Sequence, residues 1–194
     1  MFYLEERLVM RAYFDIDGVF NAVREPQFPQ DPQHEATGWL GEWKNSHIPA
    51  HRFESLPEDW GDKFHLCWST ELIESLNSLA SNESVEIVWA TTWRNLAPTI
   101  FSPATGVRGE EWRVLHASWE RIERKDSWWK HELVMQDIVA NPVEKFVWVD
   151  DDLAINPEAV EWARSIPGAK VIIPSPRTGL TRAQWKEIVE HLGV

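Results

Sequence analysis

The chain is poor in cysteine, in tyrosine and in positive charge. Its one cysteine, Cys67, lies in an apolar run. No intramolecular disulfide can form, and a lone buried thiol fits a reducing compartment. Lys and Arg total 19 against 31 Asp and Glu, a formal net charge of -12. That balance argues against non-specific binding to nucleic acid or to an anionic membrane, while leaving room for a local basic site. No apolar run approaches the roughly 20 residues that span a bilayer. Met1 to Val9 carries Glu5, Glu6 and Arg7 in place of a signal peptide's apolar core. A cytoplasmic location and no membrane partner are therefore expected, with Met10 as a second candidate start. What the chain does have in quantity is tryptophan, 13 residues of it, enough to fill a core or to line an aromatic cap.

The 194 residues suit a single domain over 1–194. Residues 11–14 read as a short buried strand. From Asn21 to about Asp62 the pattern breaks, punctuated by Pro26, Pro29, Pro32, Pro49 and Pro57. A structureless loop of that length is improbable inside a compact domain. The stretch 21–62 is expected to be an insert with sparse structure, a small cap or flap over the end of the first strand, lined by Trp39, Trp43, His47, His51 and Trp60. The spacing of His34, His47 and His51 matches no compact zinc site.

Phe64 to Trp68 reads as an edge strand. Ser69 or Thr70 then caps a helix with Leu72, Ile73, Leu76 and Leu79 on one face. Val85 to Ala90 is a second buried strand, and 96–127 is irregular. A helix follows over Trp129 to Ala140, with Trp129, Leu133, Val134, Ile138 and Val139 inward. Phe146 to Val149 is a third strand, and Lys170 to Ile173 a fourth. Asn156 is placed to cap a helix that opens with Pro157, and Thr181 with Gln184 has the capping-box spacing that opens the last helix. Apolar strands alternating with amphipathic helices argue for an α/β fold, a parallel sheet covered on both faces.

The first strand runs into Asp15-Ile16-Asp17-Gly18. Two acids at the end of an apolar strand repel each other and lose hydration, a cost that something must offset. A hard cation such as Mg2+, which prefers oxygen ligands, is the simplest answer. An EF-hand loop also starts Asp-x-Asp, but it needs a Glu at position 12, and that position is Pro26. Two later strands also end in polar clusters, Thr91-Thr92 and Asp150-Asp151-Asp152. In such sheets sites form outside the carboxyl ends of the strands, so three clusters there say more than any one.

This order resembles the haloacid dehalogenase-like (HAD) hydrolases: Asp-x-Asp-Gly, then Thr or Ser after a second strand, then Lys, then an acidic pair. The resemblance covers most of 11–152. Pro176-Arg177-Thr178-Gly179-Leu180-Thr181 looks like a small bacterial subgroup of that superfamily. The resemblance implies a three-layer, Rossmann-like sheet and a phosphatase in which Asp15 attacks phosphorus to form an aspartyl-phosphate. Asp17 would be the general acid and base, its backbone carbonyl also on Mg2+. Thr91, preferred to Thr92 because it comes first after the apolar run, would donate to a phosphoryl oxygen. Arg94 is near enough to reach the substrate phosphate, although a plain surface arginine is the stronger reading of the two. Lys130, preferred to Lys125, would supply the positive charge the site needs. Asp151 would ligate the metal with Asp150 beside it or orienting Lys130, and Asp152 would cap the next turn.

The paired acids favour phosphatase over dehalogenase chemistry. The acidic charge tilts the substrate toward a small phosphomonoester, such as a nucleotide. A nucleic-acid end-processing phosphatase is the main enzymatic alternative. A catalytically silent HAD-like protein that binds a partner through its tryptophan-rich insert is the alternative of another class.

Overall fold

The computed structural model describes residues 9–23, 34–49, 63–123 and 127–194. Among them a five-stranded parallel sheet forms the centre, in the order β5-β4-β1-β6-β7. Its strands are β1 (Met10–Phe14), β4 (Val85–Trp89), β5 (Arg113–Val114), β6 (Lys145–Val149) and β7 (Ala169–Ile172). A separate antiparallel ladder joins β2 (Trp43–Pro49) to β3 (Lys63–Ser69). The helices are α1 (His34–Thr37), α2 (Thr70–Ala80), α3 (Ser102–Thr105), α4 (Trp119–Ile122), α5 (Trp129–Ala140), α6 (Pro157–Ser165) and α7 (Arg182–Leu192). The helices and the sheet make the α/β arrangement that the alternation of strands and helices predicts. No helix among the described residues is long and apolar enough to cross a membrane.

Both faces of the sheet are covered, so the central strands read as nearly continuous apolar runs. Successive side chains alternate between faces. Ala12, Phe14, Ile87, Trp89, Val147 and Val149 share one core with Leu72 and Leu76 of α2 and Ile188 of α7. Tyr13, Val88, Phe146 and Trp148 share the other with Val134 of α5 and Ala159 and Ala163 of α6. Most of the described tryptophans pack in or against these cores: Trp39, Trp68, Trp89, Trp93, Trp148 and Trp185 are buried in them. The Trp39 indole donates to the carbonyl of Leu180 at 2.7 Å, which ties the insert to the C-terminal segment. Trp60 and His51 lie outside the described residues.

Several local expectations change in detail. The insert carries β2, a regular strand whose polar composition hid it. Residues 96–127 hold a five-residue π-helical turn (Ala97–Phe101), α3, the short edge strand β5 and α4. Ser69 caps α2, its Oγ accepting from the amide of Leu72 at 3.3 Å. Thr181 and Gln184 form the capping box of α7. Asn156 stands at the cap of α6, but its side chain donates to the carbonyl of Asp152 at 2.7 Å instead. Val139 is 75% exposed; the inward face of α5 is set by Trp129, Lys130, Val134 and Asp137, two of them ionisable, which an apolar-stripe reading misses.

Candidate active site

Because β4, β1 and β6 are adjacent and parallel, the three polar clusters emerge on one edge of the sheet. The ladder reaches one residue past each strand. The amide of Asp15 donates to Val149 at 3.0 Å, that of Ala90 to Phe14 at 2.8 Å, and that of Asp150 to Ile172 at 3.2 Å. The ends of the strands that carry the acidic clusters are thus fixed by backbone bonds to neighbouring strands.

After Asp15 the chain folds into a tight turn in which the Ile16 carbonyl accepts from the amides of Val19, Phe20 and Asn21. Gly18 closes it at φ 69°, a left-handed conformation that suits glycine. A Cβ at this position would lie 2.2 Å from Cγ of Asp151. The early and late acidic segments therefore touch here, and only a residue without a side chain permits it.

Lys130, in the first turn of α5, is buried with its carboxylate partners Asp15 and Asp150. Its ammonium donates to Asp15 Oδ2 at 2.6 Å and to Asp150 Oδ2 at 2.8 Å, and lies 3.7 Å from Asp152 Oδ2. Burial alone would lower its pKa, but Asp15, Asp150 and Asp152 outweigh that and raise it, so the ammonium is permanent. Asp15 Oδ1 accepts from the amide of Ile16 at 2.7 Å. Asp150 Oδ1 accepts from the amide of Asp152 at 3.0 Å. The acid that caps this turn is therefore Asp150, not Asp152, whose side chain is half exposed.

Negative charge remains in excess. Asp15, Asp150 and Asp151 each offer an oxygen within 4.8 Å of the others, with a single ammonium among them. Burial first, then Asp15 and Asp152, push Asp151 up to about 7. Burial also raises Asp150, against the pull of Lys130. Burial, then the charge of Asp15, push Asp17 up to about 6, opposed by its hydrogen bonds and by Lys130. An all-oxygen donor set with this excess of negative charge fits a hard divalent cation, whose charge would offset the repulsion.

Asp17 takes its hydrogen bonds from other donors than the lysine. Its Oδ1 accepts from Asn21 Nδ2 at 2.6 Å and its Oδ2 from Trp93 Nε1 at 2.8 Å. Thr91 is buried, its hydroxyl oxygen accepting from the amide of Trp93 at 3.3 Å, which leaves its proton available. Thr92 is half-buried in the same turn, and Arg94 adopts φ 50°, an uncommon conformation for a residue with a side chain. Lys125 lies outside the described residues. Sequence reasoning missed Trp93 and Asn21, since neither titrates. A signal existed in the spacing of Asn21 four residues after Asp17 inside a turn.

A family described as the HAD domain in Swiss Army Knife RNA repair proteins matches residues 12–185. Neither the curated proteins nor the solved structures give a match.

Proposed function

The chain belongs to the HAD-domain family of Swiss Army Knife RNA repair proteins, and on that premise we propose a Mg2+-dependent phosphohydrolase that works through an aspartyl-phosphate on Asp15. One observation carries the reading: a buried lysine at 2.6 and 2.8 Å from two carboxylates, Asp15 and Asp150, beside a third acid, Asp151, near enough to share a cation.

Asp15, Asp150 and Asp151, with the backbone carbonyl of Asp17, would hold Mg2+. The ion supplies charge neutralisation that lets a dianionic phosphate approach acids. The other steps belong to the chain. Lys130 aims Asp15 through its 2.6 Å bond to Oδ2, and offers positive charge to the phosphoryl oxygens. Thr91 donates its hydroxyl proton to one of them, with Thr92 and Arg94 in the same turn as further phosphate contacts. An oxygen of Asp15 attacks phosphorus in line. The bond to the leaving oxygen breaks, and that oxygen takes the proton of Asp17. Water then attacks the aspartyl-phosphate, giving its proton to Asp17; inorganic phosphate departs and Asp15 is restored. A carboxyl pushed up to about 6 suits both duties near neutral pH.

The insert at 21–62, whose described part pairs with β3, acts as the flap that chooses substrates. The net charge of -12 favours a small phosphomonoester such as a nucleotide. The family description favours a second reading, the terminal phosphate of an RNA strand. Turnover compared on mononucleotides and on 3′- or 5′-phosphorylated oligonucleotides separates the two. Family membership does not by itself establish activity. The deciding test is phosphate release from a phosphomonoester panel with Mg2+. Purified Asp15→Asn keeps the wild-type circular dichroism and loses turnover; retained turnover in that variant overturns the assignment.

A further inference from the structure

We propose that Trp93 is a positioning residue for Asp17, aiming its acid proton at the leaving oxygen, with Asn21 as its counterpart on the other carboxylate oxygen. The inference rests on the phosphohydrolase reading and adds residues that reading does not use.

The geometry is specific. Each Asp17 oxygen receives one N–H: Oδ1 from Asn21 at 2.6 Å, Oδ2 from Trp93 at 2.8 Å. An indole N–H donates and cannot accept, and an amide NH2 likewise. A proton carried by Asp17 therefore finds no acceptor in either partner. It must occupy a remaining lone pair, directed away from both, where a leaving oxygen can take it. A carboxyl held by a hydroxyl or a second carboxylate would instead spend that proton inside the protein.

Both donors are themselves fixed. The Trp93 ring is buried, packed against Phe64 of β3 (centroids 5.5 Å apart) and Phe101 (5.8 Å). Its backbone amide also bonds the Thr91 hydroxyl at 3.3 Å, so one residue orients groups from two strands. The Asn21 amide is oriented from β3: its Oδ1 accepts from the amide of Cys67 at 2.8 Å, which leaves Nδ2 for Asp17. The Ala22 amide bonds the Cys67 carbonyl at 2.8 Å. The acid is thus gripped by side chains that seat on the hairpin strand, not on the central sheet alone.

The test uses leaving-group dependence, which neither a lower melting temperature nor a smaller folded fraction changes. The full chain with Mg2+ is assayed on p-nitrophenyl phosphate, whose leaving group needs little protonation, and on an alkyl phosphomonoester, whose leaving group needs it fully. Trp93→Phe keeps an aromatic ring, though a smaller one, and removes the N–H. Its kcat/KM ratio of alkyl to aryl substrate falls about tenfold or more, a part of the hundredfold or greater contribution of a general acid, while the aryl rate holds within about threefold. Asn21→Ala reads the same ratio should Trp93→Phe be insoluble. Equal loss on both substrates in the soluble variant, or an unchanged ratio, overturns the proposal and leaves the phosphohydrolase reading standing. A wild-type chain that releases no phosphate from either substrate sinks both together.

Discussion

Two buried charge clusters lie on the same face of the sheet, both under α5, and they are built on opposite principles. Lys130 and Asp137 sit seven residues apart, two turns along one side of that helix. Around Asp137 every charge is answered. Arg113 grips it with two N–H groups at 2.6 and 2.9 Å, Tyr13 donates to it at 2.5 Å, and Arg11 at 3.2 Å. Both arginines also bond Glu86, at 2.6 and 2.9 Å. Two cations thus face two anions. Around Lys130 one cation faces Asp15, Asp150 and Asp152, with Asp151 and Asp17 adjoining. Burial would raise Asp137, but the bonds from Arg113 and Tyr13 outweigh it and hold it below the usual carboxylate range, whereas the same burial leaves Asp17 and Asp151 raised. A closed cluster strengthens a fold. An open one, short of positive charge, is a place for a ligand that carries it.

The sharpest way to break this contrast is to remove the cation of the open cluster. Lys130→Met lowers phosphate release about a hundredfold to a thousandfold, measured at saturating Mg2+ on protein whose circular dichroism is unchanged. Next comes the closed cluster. Asp137→Asn removes one of the two anions that the buried Arg11 and the partly exposed Arg113 share, and costs about 1–2 kcal/mol in urea unfolding, while the rate per folded molecule stays near wild type. A comparable loss of rate would show that the two ends of α5 are not separable.

The pH dependence of stability sharpens the difference because its sign reverses. Asp17 and Asp151 bind protons more tightly folded than unfolded. Their contribution is complete below the ordinary carboxylate range and is lost as pH rises through about 6 and about 7. Asp137, held low, contributes above the ordinary range and is lost as pH falls through its lowered value. Thermal melts in EDTA therefore fall from pH 6 to 8, Mg2+ restores more at pH 8 than at pH 6, and Asp151→Asn flattens the alkaline decline. The smallest effect belongs to the outer face of the same helix. Val139→Lys, at a 75% exposed position, changes stability by less than about 0.5 kcal/mol; a larger loss would mean that this face is covered in solution.

Much of this was legible in the residues because strands and acids write plainly. β1, β4, β6 and β7 each carry an apolar run, and the parallel order brings their polar ends to one edge. The two-residue β5 is too short to have a period, and β2, Trp-Lys-Asn-Ser-His-Ile-Pro, has too many polar side chains to read as a strand without its partner. Lys130 could be argued from the need for a cation among acids. Asp137 could not, since its partners Arg11, Tyr13 and Arg113 come from two other strands and reveal themselves only on folding. Trp93 and Asn21 escaped for a different reason: their contribution is the direction of an N–H, which composition and spacing do not encode.

The contact at Gly18 reaches further than the turn that it closes. Asp151 fills the volume that any larger residue at 18 would occupy, so the two halves of the acidic cluster are interlocked at one backbone atom. Position 18 thereby works as a written gauge of the cluster's integrity. A sequence of this family with even an alanine there must turn the Asp151 side chain aside or draw back the loop that carries it.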